Sequence, residues 1–465
     1  MFSSSSSWSH TPPAIDSRGV SEMAFTRLYE QLSGMGPAWL PGAIAAGPAT
    51  ISALVAAGVG YGYDLLWVVV LSAPAGFVAL LLAARLGTAT ERGIVRSVED
   101  RLGKWWAWLL VVDTVIVAGV AQLLIMKGLA DVSASLFGLV PPVWGVFWAV
   151  VLVVGLAGGG YRVAEIGAKV VVSAVVLVFV ATLVVVPPDP AAAAAGLVPT
   201  TPPGAAVTVA GVLGGAVHIT LVTMYTYTMR AREWGSDDYG LARFDAGASM
   251  LVAFGLYSLS IFLVVAGALG GRDVAPQAAA AAAALVPVAG SAAVTLFLVG
   301  ILGAAVSTLG GNTVVPPFLL ADKLGWGTTI DDGRYRALLA GTALVSAAGA
   351  FVGGSFIPLL VQALALGLVG TPFVLALVLY LLYDVPGGPP SRLLTGSGVI
   401  LLGVTSVTAA NAVRDTAATL TDGLAPIPAF VTLFAVVLGL ATLALLALLV
   451  REWAAGWRRA DRTPG

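Results

Sequence analysis

Cysteine is absent from this 465-residue chain, which excludes disulfides and thiolate metal ligands and leaves the redox compartment open. Charge is scarce too: Asp, Glu, Lys and Arg make up 10% of the residues, against roughly 25% in a soluble globular average. A net charge of −1 offers no basic patch for nucleic acid. No nucleotide-binding loop and no hydrolytic constellation appears, so neither a primary pump nor an enzyme is expected, and nothing calls for a cofactor. Histidine occurs only at His10 and His218.

Apolar sequence takes the place of charge, at 58% of the chain. A helix needs about 20 apolar residues to cross the hydrocarbon core. Twelve segments qualify, at roughly 38–60, 64–84, 105–130, 142–158, 164–187, 205–229, 242–270, 291–320, 337–355, 356–383, 393–411 and 426–450. The division between the ninth and tenth rests on Gly353, Gly354, Ser355 and Pro358. Long apolar runs, in place of short alternating ones, argue against a β-barrel. The expectation is an all-α polytopic protein of the cell membrane.

Short cytoplasmic loops carry the excess of Lys and Arg. With the N-terminus inside, 20 of the 23 basic residues fall on the cytoplasmic side and only Lys127, Arg272 and Arg414 are left outside. Both termini are therefore expected in the cytoplasm. The first 20 residues are polar and Ser-rich and lack the apolar core of a signal peptide; with a short amphipathic helix at Ser21 to Leu32 they are expected to form a cytoplasmic tail over 1–35. The Ala-rich stretches after Pro187 and Gln277 read as external spacers.

Two apolar segments are interrupted by glycine about 170 residues apart, at Gly42 to Thr50 (GAIAAGPAT) and Gly211 to His218 (GVLGGAVH). Pro48 cannot donate a backbone hydrogen bond and Gly47 adds conformational freedom; Gly214 and Gly215 do the latter in the second half. Freed backbone groups are tolerated at membrane depth only where they are buried in protein or line a cavity. A pair of such breaks, each beginning one half of the chain, is the pattern of a secondary transporter built from inverted repeats, with substrate held near the midplane.

The stretch Tyr61 to Ser72 (YGYDLLWVVVLS), followed by Leu82 to Gly87 (LAARLG), resembles the second helix of the Nramp family of divalent metal transporters. The spacing back to Gly47-Pro48-Ala49-Thr50 lays this tetrapeptide on the family's Asp-Pro-Gly-Asn motif. The resemblance implies a leucine-transporter-like fold, with helices 1 to 5 (residues 36–190) and 6 to 10 (205–383) as inverted repeats. Helices 11 and 12 and a cytoplasmic tail follow at 390–465. It also implies a metal site between helices 1 and 6. The family's Asp and Asn ligands are replaced here by Gly47 and Thr50, and counting back from Arg232 puts His218 on its Met and Thr220 on its His. The metal-ligand candidates are thus Thr50 and His218, in a substrate site of Gly47, Ala49, Thr50, Gly214, Gly215 and His218. The family's third-helix acids, implied for proton passage, are absent from Thr114 to Ala130, with Gly119 and Gln122 near their positions.

Neutral imidazole ligates manganese, iron, zinc or copper, whereas magnesium prefers oxygen; His218 serves equally as a packed histidine bonded to Thr220. Without an aspartate, a divalent cation must be compensated by carbonyls, hydroxyls or retained water, which suits a partly hydrated magnesium. Helix N-termini at the breaks favour anionic groups instead. Asp113 is the candidate intramembrane acid; the plainer reading puts it near the cytoplasmic end, wetted or paired with Arg162. Ser307, Thr308, Asn312 and Gln362 either line a pathway or bind helices together.

Two readings follow. The first is a carrier of a divalent cation (manganese, magnesium or a related ion) working by alternating access with weak or absent proton coupling. The second is a carrier of the same fold for a small anion or zwitterion such as bicarbonate or an amino acid. A non-transporting sensor on the same scaffold is a third. Partners are then a small ion or solute and the lipid bilayer, with oligomeric state left open.

Overall fold

The computed structural model describes residues 47–158, 161–270, 278–385, 388–418 and 426–460. The amphipathic segment Ser21 to Leu32 and the run from Gly42 to Ala46 lie outside them. All regular structure among the described residues is helical. Helices α1 (Pro48–Tyr61) and α2 (Leu66–Thr90) are separated by a 3-10 turn at Gly62–Leu65. A short helix α3 (Ile94–Leu102) leads into the 34-residue α4 (Lys104–Phe137), α5 (Pro141–Gly158) and α6 (Tyr161–Val185). After the small α7 (Pro190–Ala195) the second half runs through α8 (Ala206–Val217), α9 (Ile219–Ala231), α10 (Tyr239–Gly247) and α11 (Gly255–Leu269). It continues with α12 (Ala278–Ala283), α13 (Val286–Ala289), α14 (Ala293–Leu324), α15 (Gly333–Ser346) and α16 (Phe356–Leu382). Two more long helices, α17 (Arg392–Ala418) and α18 (Pro426–Ala460), close the chain.

Each of the twelve apolar segments carries a helix, and the ninth and tenth part where expected, at 352–355. Position in the bundle follows burial. The most apolar stretch of α16 is completely buried, whereas the corresponding stretches of α17 and α18 are 28% and 22% buried. Helix α16 is therefore the central post, packed against α1, α4 and α8, and α17 and α18 turn most of their surface outward. Exposed residues there, such as Val399, Ile400, Leu433 and Leu440, are apolar because the surrounding solvent is lipid.

Two features depart from expectation. Helix α3 is an amphipathic helix between the second and third membrane segments, with Ile94, Val95 and Val98 fully buried. The stretch after Pro187 is more than a spacer: Asp189 caps α7, the Trp67 amide donates to Gly196 O at 2.9 Å, and the Trp67 indole donates to Thr200 O at 2.8 Å. It covers the turn between α1 and α2. The second Ala-rich stretch also packs, with Ala281 and Ala282 fully buried.

Candidate functional site

Gly47 has an extended backbone (φ −75°, ψ 176°), and Pro48 opens α1. Proline suits that first position because its missing N–H would have no partner there anyway. The second break lies elsewhere than expected. Helix α8 runs without interruption through Gly214 and Gly215 and stops after Val217; the chain turns at His218 (φ −57°, ψ 134°) and α9 starts at Ile219.

The two glycines serve close approach. A Cβ on Gly214 would collide with the carbonyl oxygen of Leu364 on α16, and one on Gly215 would sit 2.9 Å from Thr50 Oγ1 on α1. The start of α1 and the end of α8 therefore meet through the Gly215–Thr50 contact. Thr371 on α16 secures the end of α8 by donating to Val217 O at 2.7 Å. At this meeting point the C-terminus of α8 offers carbonyls, and the N-termini of α1 and α9 offer amides.

A cavity of about 40 Å³ opens beside the junction. Gly47, Ala49 and Thr50 line it from α1, Gly215, His218 and Thr220 from the second break, and Thr308 and Asn312 from α14. Leu360, Ala363 and Leu364 of α16 and Ala121 and Ile125 of α4 complete it. No ionisable group other than His218 borders this space, and no cluster of three metal-ligating side chains occurs among the described residues. Gly214 lies behind the wall, and neither Ser307, which is half-buried, nor Gln362, which is exposed in the first turns of α16, lines this cavity. The helical period turns each off the face that Thr308 or Ala363 presents to this cavity.

His218, expected as a metal ligand, lines the cavity, but its ring nitrogens are engaged or sealed. Its Nδ1 accepts the Thr220 amide at 3.4 Å, capping α9. Its Nε2 is sealed from solvent without a hydrogen-bond partner, against Gly367 of α16. The Thr220 and Thr308 hydroxyls are sealed off as well. Asn312 donates from Nδ2 to Ala118 O at 2.8 Å and to Gln122 Oε1 at 3.1 Å. Gln122 in turn donates to Thr313 Oγ1 at 2.5 Å, so α4 and α14 are joined by a polar chain beside the cavity.

Asp113 is fully buried on α4 beside Gly370, and among the described residues neither carboxyl oxygen has a hydrogen-bond partner. It sits eight residues before Ala121, about 12 Å away along the helix at 1.5 Å per residue, so it does not reach the cavity. The Arg162 side chain lies outside the described residues.

On the side of Asp113 the bundle is closed by polar contacts with no obvious sequence signal. The Tyr227 hydroxyl on α9 donates to Asp322 on α14 at 2.8 Å, and that of Tyr225 donates to Asp245 on α10 at 2.8 Å, where Arg232 also bonds at 3.3 Å. Helix α3 ties these ends together. Gly93 lies under the Tyr227 ring, the Ile94 amide donates to Thr226 at 3.2 Å, and Glu99 accepts from Lys323 at 2.9 Å. Arg101 pairs with Asp384 at 3.1 Å and with Glu452 at 3.6 Å. The ends of α14, α16 and α18 therefore share one side with α3. The 3.6-residue spacing of Ile94, Val95 and Val98 was the available clue to α3.

The bundle is that of a polytopic membrane protein. The family model for Nramp, natural resistance-associated macrophage protein-like, matches residues 38–414. The chain belongs to the Nramp family. The divalent metal cation transporter MntH of Yersinia pestis is 28% identical over 302 residues, which cover 62% of this chain and 74% of that one. Its counterpart in Pectobacterium carotovorum is 27% identical over 319 residues, covering 65% and 76%. Among solved structures, a manganese transporter of Eremococcus coleocola, in complex with an aromatic bis-isothiourea substituted compound, matches with a TM-score of 0.72 at 14% identity, covering 95% of this chain and 97% of that one. A nucleobase-cation-symport-1 family transporter in a closed conformation matches at 0.51 and 16% identity, covering 85% and 95%. The architecture is the leucine-transporter-like fold, two inverted five-helix repeats with two helices appended.

Proposed function

We propose that this chain is a secondary carrier of a divalent cation, which it moves partly hydrated, by alternating access and without tight coupling to protons. The observation that carries this reading is the neutral cavity where the start of α1 meets the break between α8 and α9, in a member of a family whose named relatives move divalent metals. Stripping a divalent ion of its water beside neutral groups alone carries a heavy electrostatic cost. Retained water removes most of that cost, and magnesium dehydrates most reluctantly. The backbone at Gly47, Ala49, Gly215 and His218 and the hydroxyl of Thr50 are the first candidates for contact. In this reading the repeats span 36–190 and 205–383, and both termini face the cytoplasm with the Arg-rich loops.

A second reading, a small anion or zwitterion as substrate, is favoured by one feature: α1 and α9 both begin at the cavity, with their positive ends toward it. Uptake into liposomes of Mn²⁺, Mg²⁺, bicarbonate and amino acids by the purified protein separates the two. The variant Gly47→Asp sharpens the answer, since the backbone at Gly47 is one an N-capping aspartate adopts readily. A cation carrier gains transition-metal affinity from the new carboxylate. An anion carrier loses transport and gains no metal site, and that result, in folded protein, overturns the first reading.

A further inference from the structure

The orientation of the Asn312 amide is dictated by its neighbours. Ala118 O is a backbone carbonyl and can only accept, so the atom facing it at 2.8 Å is the Asn312 nitrogen. The second amide proton goes to Gln122 Oε1. Gln122 has no freedom to turn either. Its nitrogen meets Thr313 Oγ1, whose own proton is committed to Leu309 O at 2.6 Å, so that hydroxyl can only accept from Gln122. The chain of donors thus runs from Gln122 to Thr313 to Leu309, and from Asn312 to both Gln122 and Ala118.

Both protons of Asn312 are therefore used on α4, and its carbonyl oxygen receives no hydrogen bond from any described residue. Unlike the neighbouring Thr308 and Thr220 hydroxyls, that oxygen is not sealed off, and Asn312 lines the cavity while being 4% exposed. A buried, oriented oxygen with free lone pairs is a ligand for a hard cation. We infer that Gln122 turns the Asn312 amide oxygen into the cavity, where it serves as a neutral ligand to a divalent cation. Asn312 touches the substrate; Gln122 is its positioning residue. This inference rests on the cation reading above. It supplies, from α14, part of the oxygen donation that the first helix lacks at Gly47.

The test is a double-mutant cycle on Mn²⁺ and Mg²⁺ binding by calorimetry, with full-length protein in nanodiscs whose monodispersity is checked by size exclusion. Outer-shell and ligand losses of this kind weaken metal binding by about 10-fold or more, and that loss is expected for Asn312→Ala, with a loss in the same direction for Gln122→Met. In the Asn312→Ala background Gln122→Met adds nothing, because its target is gone. Should Asn312→Ala fail to fold, Asn312→Ser keeps a donor for Ala118 O but no carbonyl, and the same loss is expected. If the wild type binds both ions and the Asn312 variants bind them equally well, the cation reading stands and this inference falls. Multiplicative, independent losses from the two sites overturn it as well, since a packing role at each produces that pattern. A wild type that binds neither ion removes the cation reading and this inference together.

Discussion

The tip of the His218 imidazole lies against the α-carbon of Gly367, in a gap on α16 that a methyl group would fill. This contact and the cap on Thr220 explain why the chain breaks at His218 and not at the glycines three and four residues earlier. The side chain is held between two helices, and its backbone opens the second.

Gly367→Ala is expected to destabilise the protein by about 1–3 kcal/mol, the usual cost of overpacking a tight core. In His218→Ala protein the same substitution is expected to cost much less, because the two sites share one space. Thermal unfolding of the four variants in detergent reads the coupling. Additive losses reject the contact as the cause.

Tyr227→Phe is expected to loosen the closure on the α3 side. Removing the hydroxyl leaves Asp322 with only the distant Arg96, 4.0 Å away. The natural chain has no thiol, so a Thr223→Cys reporter, now fully buried, is the only one present. Maleimide labelling of that reporter is predicted to quicken about tenfold, equivalent to some 1.4 kcal/mol in the opening equilibrium. Unchanged labelling means the tyrosine pair does not hold this side shut.

Asp113→Asn is predicted to leave the melting temperature equal or higher, since a fully buried carboxyl without a partner costs more than an amide of the same shape. Transport is predicted to persist in this variant and to show no dependence on a proton gradient in either form. Proton influx with substrate in the wild type, abolished by Asp113→Asn, defeats the uncoupled reading and assigns that acid as the relay.

Asp332 lies before α15, outside the membrane-spanning segments, and its carboxyl is held well below the usual carboxylate range by hydrogen bonds from the Arg334 side chain and amide and from the Gly327 amide. A carboxylate lowered on folding stabilises the fold above its unfolded pKa and loses that contribution as pH falls through the folded one. Asp332→Ala is therefore expected to lower the melting temperature uniformly between pH 5 and 8. The gap to the wild type is expected to shrink only on strong acidification, near or below an ordinary aspartate pKa of about 3.9. A gap that varies between pH 5 and 8 contradicts this assignment.

Composition and apolar run length alone determined that the chain is a helical membrane protein, because the hydrocarbon core demands both and no soluble fold tolerates them. That a helix begins at Pro48 was equally readable, since proline's missing donor is a local property of one residue. Tertiary structure alone decided the rest. Gly214 and Gly215 were read as a break because glycine permits one, yet the bundle uses them to bring α8 onto Leu364 and Thr50, and places the break at His218. Asn312 and Gln362 looked alike as polar residues in apolar helices. One is tied to α4 beside the cavity and the other is exposed and off it, because which side of a helix meets the core depends on the neighbours packed against it. Tyr225 and Tyr227 read only as part of a polar strip, and their pairing with Asp245 and Asp322 carried no local signal, since hydrogen bonds spanning 20 and 95 residues exist only once the helices that bear them are assembled.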